Sequence, residues 1–371
     1  MDIFSASVNS HSAGESVAEM RRRIGRFPVA QLVFFASFSY DFPELARLMQ
    51  EAFPQARTMG CTSYAELGNG GIGRGTISAL AFAENALLNF AAAPATDLSR
   101  DAGSVEKALA AMETQLGCKL LDLDYRRHFG LSLFDGRSPN IERAMELVAS
   151  KTDFTFIGGF ASDDFSLGSI AASLDGVAYQ DCAVLAVVEP AGKFTLLKTQ
   201  SHEPVGPVYT ATKVDEANKL VIELDGRSAR SEFARGIGID EEQLTEDYFL
   251  AFSLGIMAEG EPFIRAGAKI LPDGAIKFFC TVREGQRLAL MRVGDQVAQT
   301  RKALEKAASA IGGIGAILDF DCAHRDMYLQ AEGKAAEYTA LFHGAQMAGF
   351  ATFGELFMAN VNQTAVMALF E

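Results

Sequence analysis

One four-residue pattern recurs three times and constrains the fold more than any other feature: Gly60-Cys61-Thr62-Ser63, Gly159-Phe160-Ala161-Ser162 and Gly349-Phe350-Ala351-Thr352. Each copy closes a strand–helix–strand pattern. Two continue alike, as Tyr64-Ala65-Glu66-Leu67 and Phe353-Gly354-Glu355-Leu356. We read the pattern as a turn, reused in duplicated units whose turns converge on one cleft. The alternative is chance similarity among strand–helix–strand units, all of which tend to need a glycine. The matching residues beyond the glycine argue against it.

The first unit opens on an apolar run of buried-strand type, residues 31–36. Asp41 as N-cap, Pro43 in the first turn and Glu44 at the capping-box position then start a helix. Leu45, Leu48, Met49 and Ala52 form its apolar stripe. Strands follow at 57–59 and 76–82. The second unit repeats the order: strand 129–134, a helix begun by Ser138-Pro139 with the stripe Ile141, Ala144, Met145, Val148, then strands 154–157 and 182–188. The third has strand 316–320, the stripe Tyr338, Leu341, Phe342, Ala345, and a last strand at 364–370. Residues 249–293 carry hairpin signals around Pro272-Asp273-Gly274 and are open to reading as a fourth, degenerate unit. The expected fold is α+β: duplicated mixed β-sheet units, helices on the outer faces, two halves forming a shared cleft.

A length of 371 residues suggests two or three domains. The net charge of −14 argues against nucleic acid or an anionic membrane as partner, since both need a basic footprint; its plain reading is solubility. Five cysteines without a Cys-x-x-Cys pair argue against a disulfide framework or structural zinc. The first residues show no secretion pattern, and no run of about 18 apolar residues occurs. The expectation is a cytoplasmic protein with a core rich in phenylalanine, of which there are 28 against no tryptophan.

Gly68-Asn69-Gly70-Gly71-Ile72-Gly73 matches the dinucleotide fingerprint, but it leads into a strand rather than a helix and reads as a hairpin. Asp163-Asp164 is a paired carboxylate suited to a cation or to acid–base work; neighbours on an extended segment point apart, which favours a turn-capping role. Of His11, His128, His202, His324 and His343, no two share a zinc-ligand spacing. His202 and His324 rank first for function because each follows a strand, where loops carry sites. Cys61 and Cys322 would need an adjacent histidine to act as nucleophiles, and packing is their plain reading.

Residues 32–35 through Gly60-Cys61-Thr62-Ser63-Tyr64-Ala65-Glu66 resemble the start of a FIST N domain. Gly158-Gly159-Phe160-Ala161-Ser162-Asp163-Asp164 resembles its later segment. Cys322-Ala323-His324-Arg325, Gly349 to Leu356 and Asn362-Gln363-Thr364 resemble a FIST C domain. The resemblance divides the chain into an N-terminal helix or extension (1–29), a FIST N-like domain (30–215) and a FIST C-like domain (216–371). It implies a cytoplasmic small-ligand sensor, similar to the bacterial FIST proteins that bind haem and sense nitric oxide. Such proteins act on a histidine kinase or on a diguanylate cyclase or phosphodiesterase. A homodimer is compatible with it. The ligand contacts it implies are His202, Arg325, Glu66, Ser63, Asp163, Glu355 and Asn362. His202 in His202-Glu203-Pro204-Val205-Gly206 is first choice for the iron of non-covalent haem b, and His324 second; many members have glycine where Glu203 stands. The alternative ligand is an amino acid or similar metabolite, its carboxylate on Arg325. A nucleophile, base and orienter in recognisable spacing are lacking, so the chain is read as no enzyme; Asp163/Asp164 or Cys61 would carry the opposite reading.

Overall fold

Alternate residues along the strand Val29–Ser37 are buried on opposite faces: Leu32, Phe34 and Ala36 under helices, Val33 and Phe35 toward the molecular centre. The strand Ala365–Phe370 does the same, with Ala365, Met367 and Leu369 outward and Val366, Ala368 and Phe370 inward. Strands buried on both faces require a sheet covered on both sides. Here helices cover the outer faces and three six-stranded sheets pack their inner faces together. Phe35, Phe320 and Phe350 meet at the centre, with ring centroids 4.7–5.9 Å apart. The computed structural model describes residues 2–9, 12–258 and 260–371; His11 lies outside them. The α+β class with mixed sheets is as expected.

One unit is repeated three times and supplies four strands of each sheet: edge strand, helix, strand, helix, parallel strand, two-strand hairpin, antiparallel return strand. The first unit runs from the strand Ile3–Asn9 to Thr76–Ala83, the second from Leu87–Ala95 to Ala183–Pro190, the third from Phe194–Thr199 to Ala365–Phe370. The central strands Val29–Ser37, Phe129–Asp135 and Ala316–Cys322 each pair parallel with the strand after their helix and antiparallel with the return strand.

The hairpins do not stay home. The first unit's hairpin (Glu66–Gly68, Gly71–Gly73) joins the third unit's Gln346–Thr352 strand. The second's (Ala172–Leu174, Val177–Tyr179) joins the first's Arg57–Ser63, and the third's (Glu355–Phe357, Ala359–Val361) joins the second's Phe156–Ala161. The exchange is cyclic and closes the three sheets on one another.

The repeated glycine is therefore part of a strand and not, as its sequence context suggests, a turn, and the close neighbour that requires it at Gly60 and Gly349 is the unit's own central strand. Gly60, Gly159 and Gly349 lie inside strands, at the registers Gly60–Ser173, Gly159–Glu355 and Gly349–Leu67 where the foreign hairpin pairs. A Cβ on Gly60 would sit 2.6 Å from the Phe34 carbonyl oxygen, and one on Gly349 2.4 Å from that of Asp319.

Residues 202–293 are not a degenerate unit. They form a separate eight-stranded antiparallel sheet inserted in the third unit, between its edge strand and the helix Gln296–Ile311. Tyr209, Phe233, Phe249, Leu288 and Leu290 belong to its own core. The insert leaves and returns at the pair His202–Val293. Two local expectations also shift. The helix after Ser138-Pro139 is Ile141–Ser150, because the Ser138 hydroxyl accepts the Asn140 N–H in a preceding turn. The helix bearing Tyr338 ends at Ala340, and Phe342 packs from the turn beyond. Asp41 caps its helix as expected, accepting the Glu44 N–H.

Candidate functional site

The three repeated strand ends meet at one end of the molecule. The Ser162 hydroxyl donates to the Ala351 carbonyl (2.6 Å) and accepts the Tyr64 N–H (2.9 Å); the Ser162 N–H donates to the Thr62 carbonyl (3.1 Å). Thr352 Oγ1 accepts the Phe160 N–H (2.8 Å), and the Ala351 N–H donates to the Ala65 carbonyl (2.8 Å). Just beyond, one aromatic ring per unit joins a cluster: Tyr64 edge-on to Phe165 at 5.4 Å, and Phe165 stacked on Phe353 at 4.5 Å.

Between this cluster and the inserted sheet lies a narrow crevice with a cavity volume of about 10 Å³, lined by Phe165, Phe353, Ala266, Phe279, His324 and Asn362 among others. His324 stands at the start of the helix Ala323–Ala331, edge-on to Phe279 at 5.2 Å. Its Nδ1 is buried without a hydrogen-bond partner, and burial pushes the imidazole down to about 4. At neutral pH it is therefore an uncharged ring with a nitrogen free to accept or ligate. Asn362 Oδ1 accepts from Cys280 Sγ (3.0 Å) and the Ala266 N–H (3.4 Å), tying the crevice floor to the insert. The rim is loop 163–169. Asp163 gathers it by accepting the Gly168 N–H (2.8 Å), the Ser169 N–H (3.3 Å) and the Ser166 hydroxyl (3.2 Å). Phe165 and Leu167 are both exposed there at φ of 69° and 59°, a conformation costly for residues other than glycine.

The other expected site residues are dispersed. Arg325 follows His324 but points inward: Nε donates to Asp321 (2.7 Å), Nη2 to Tyr338 (3.3 Å) and Thr300 (3.4 Å), and the Tyr338 hydroxyl donates to Asp321 (2.5 Å). Arg325 Nη1 and both carboxylate oxygens of nearby Asp319 lack partners; burial, then the Asp321 charge, raises the Asp319 carboxyl well above its usual range. His202 is buried beside Gln363, and burial, then the Arg325 charge, pushes its imidazole down to about 3. Glu66 accepts from Ser63 (2.5 Å) and from the Thr76 hydroxyl (2.6 Å) and N–H (3.0 Å); Glu355 accepts from the Thr364 N–H (3.0 Å) and hydroxyl (2.9 Å). Of the seven expected contacts, Asn362 alone lines the crevice, and Asp163 shapes its rim. Arg325, Glu66 and Glu355 are not brought together around one ligand.

A haem on His202 does not fit these surroundings. The ring is enclosed, and its neighbour is a guanidinium already engaged with Asp321. Asp163 turns into its loop while Asp164 caps Ser166 on the exposed side, so the two carboxylates do not cooperate. Burial raises the thiols of Cys61 and Cys322 well above their ordinary range, which disfavours thiolate. Among the described residues no cluster of three or more His, Cys, Asp or Glu could hold a metal ion, and no helix is long and apolar enough to cross a membrane. Sequence reasoning missed Phe165, Phe279 and Phe353. For Phe353 the signal was present, since it matches Tyr64 after the repeated pattern.

Comparison with known proteins bears on the whole chain. A sequence model described as the FIST N domain matches residues 31–227, and one described as the FIST C domain matches 229–358; their boundary falls within the inserted sheet. No curated protein matches. Solved structures include Thermotoga maritima PurL complexed with ADP (10% identity, 99% of this chain and 71% of that one, TM-score 0.21). Another is phosphoribosylformylglycinamidine synthase II from Thermotoga maritima (9% identity, the same coverages, TM-score 0.19). Likeness at that level carries nothing about fold or function.

Proposed function

The chain belongs to the family that joins a FIST N domain to a FIST C domain, domains that act as small-ligand sensors in signalling, and on that premise we propose that its ligand seats in the aromatic crevice at His324. One observation carries this reading. Both matched segments contribute a wall, Phe165 from the first and Ala266, Phe279 and Phe353 from the second, around a nitrogen of His324 that has no partner. A ligand held there touches both segments at once, so binding alters their relation, which is what a sensor requires. The partner read from the family is a histidine kinase or a cyclic-di-GMP enzyme in the cytoplasm, and the chain acts as a sensor rather than an enzyme.

The sharper version is haem b with nitric oxide as signal, held by His324 rather than His202. Haem would supply reversible gas binding at its iron. His324 would hold it, and Phe279, Phe165 and Phe353 would give the apolar surroundings. A crevice of this size admits a macrocycle only if loop 163–169 swings outward. Haem titration followed in the Soret region tests it. The expected result is a band that His324→Ala removes and His202→Ala leaves. A wild-type protein without a band after titration sinks the haem version. A thermal-shift screen of small neutral and planar metabolites then tests the crevice itself, since bound ligand stabilises by mass action.

A further inference from the structure

Three short segments of chain form the wall behind the crevice, and each contributes a residue to both of its sides. Ala266, Phe279 and Asn362 line the crevice; Arg265, Cys280 and Asn360 line a cleft on the far side, with a cavity volume of about 290 Å³. The opposite bank of the cleft is the second unit's helix Ile141–Ser150, through Glu142, Met145, Glu146 and Ala149. Between Met145 and Met358 the cleft narrows into an apolar slot walled by Val148, Phe154, Phe156 and Leu356. The slot holds about 30 Å³, the room of one or two waters, and its two hydroxyls, Ser132 and Thr152, already donate to the Ile157 and Val148 carbonyls. A slot of that kind is filled by a narrow apolar group, and two methionines at its entrance can adapt to one.

The charge at the mouth selects the rest of the occupant. The Glu146 charge is offset by Arg143 (3.0 Å) and Glu142 is held by the Thr281 N–H (3.3 Å), which leaves Arg265 and Arg283 against the one remaining acid charge. Arg265 spends Nη1 on the Ile264 carbonyl, and its buried Nε has no partner. Arg283 stands exposed at the rim. We propose that cleft and slot form a second binding site, for a small monocarboxylate bearing a short unbranched apolar chain: the carboxylate on Arg265, the chain between Met145 and Met358. The site lies outside the His324 crevice, and the third unit's hairpin, whose flanking residues line the crevice, connects the two. Leu356 and Met358 wall the slot, while Thr352 and Phe353, just before that hairpin, wall the crevice.

Methyl NMR of the full-length protein labelled at methionine tests this directly, with hexanoate and uncharged 1-hexanol as probes. The Met145 and Met358 methyl signals, assigned by Met→Leu variants, should shift saturably with hexanoate. Arg265→Gln should weaken hexanoate about tenfold and leave 1-hexanol unchanged, because only the acid makes a charge-assisted bond. Ala149→Trp, on the exposed side of the helix, should block both probes without disturbing the core. The proposal is overturned if neither methyl moves at any soluble hexanoate concentration. It is equally overturned if Ala149→Trp binds as the wild type does, or if Arg265→Gln affects acid and alcohol alike. None of these outcomes depends on the Soret band or on His324.

Discussion

Glu66 and Glu355 hold equivalent places in two units, and each fastens the start of a return strand through one threonine, Thr76 and Thr364. Burial raises their carboxyls from 4.5 to about 7 and about 8. A folded-state value above the unfolded one means the fold prefers the protonated acid. That contribution is full below pH 4.5 and is lost as pH rises through 7 to 8. Glu355→Gln keeps an acceptor and removes the ionisation. Urea unfolding should therefore show wild type losing on the order of 3 kcal/mol relative to the variant between pH 5 and 9; parallel curves would refute this. His324 behaves oppositely: its lowered value costs stability as pH falls from 6.5 toward 4. In the sequence these glutamates look like ligand groups because they follow the repeated pattern. Nothing in one chain's residue order says that a carboxylate turns back to a threonine nine or ten positions on.

At the scale of elements, the alternation in 31–36 and the cap at Asp41 were legible because they are local: one strand, one helix start. The hairpin exchange was not. Its strands are three residues long, too short for periodicity, and their partners lie in another unit. The repeated glycine marks something else, the close approach of the unit's own central strand at Gly60 and Gly349. Gly349→Ala should cost at least about 2 kcal/mol, since the clash is with backbone oxygen that cannot yield. Gly14→Ala, on the helix Ala13–Ile24 with nothing within 4 Å of its Cβ, should stabilise by up to about 1 kcal/mol. Chemical denaturation midpoints separate the two; equal effects would remove the clash with the neighbouring strand as the reason for the glycine. Ser162→Ala should cost about 1–3 kcal/mol, because it strands the Tyr64 N–H and the Ala351 carbonyl.

Across the whole molecule, the cyclic exchange leaves each sheet incomplete without a second unit. The three sheets should open in one cooperative step, so native-state hydrogen exchange should give Val33, Leu131 and Leu318 the same opening free energy. Separate values for the three would break that picture. The insertion obscured this symmetry in the sequence: its strands continue the hydrophobic rhythm of the third unit, and only the structure sets them in a sheet of their own. It departs and rejoins side by side, with the Gly294 N–H donating to the Ser201 carbonyl at 2.9 Å. Two neighbouring endpoints make residues 202–293 a cassette. It is a module that evolution or an engineer could exchange for another of different shape without rethreading the ring, giving one unaltered three-part body a new lid and a new preference for what settles beneath it.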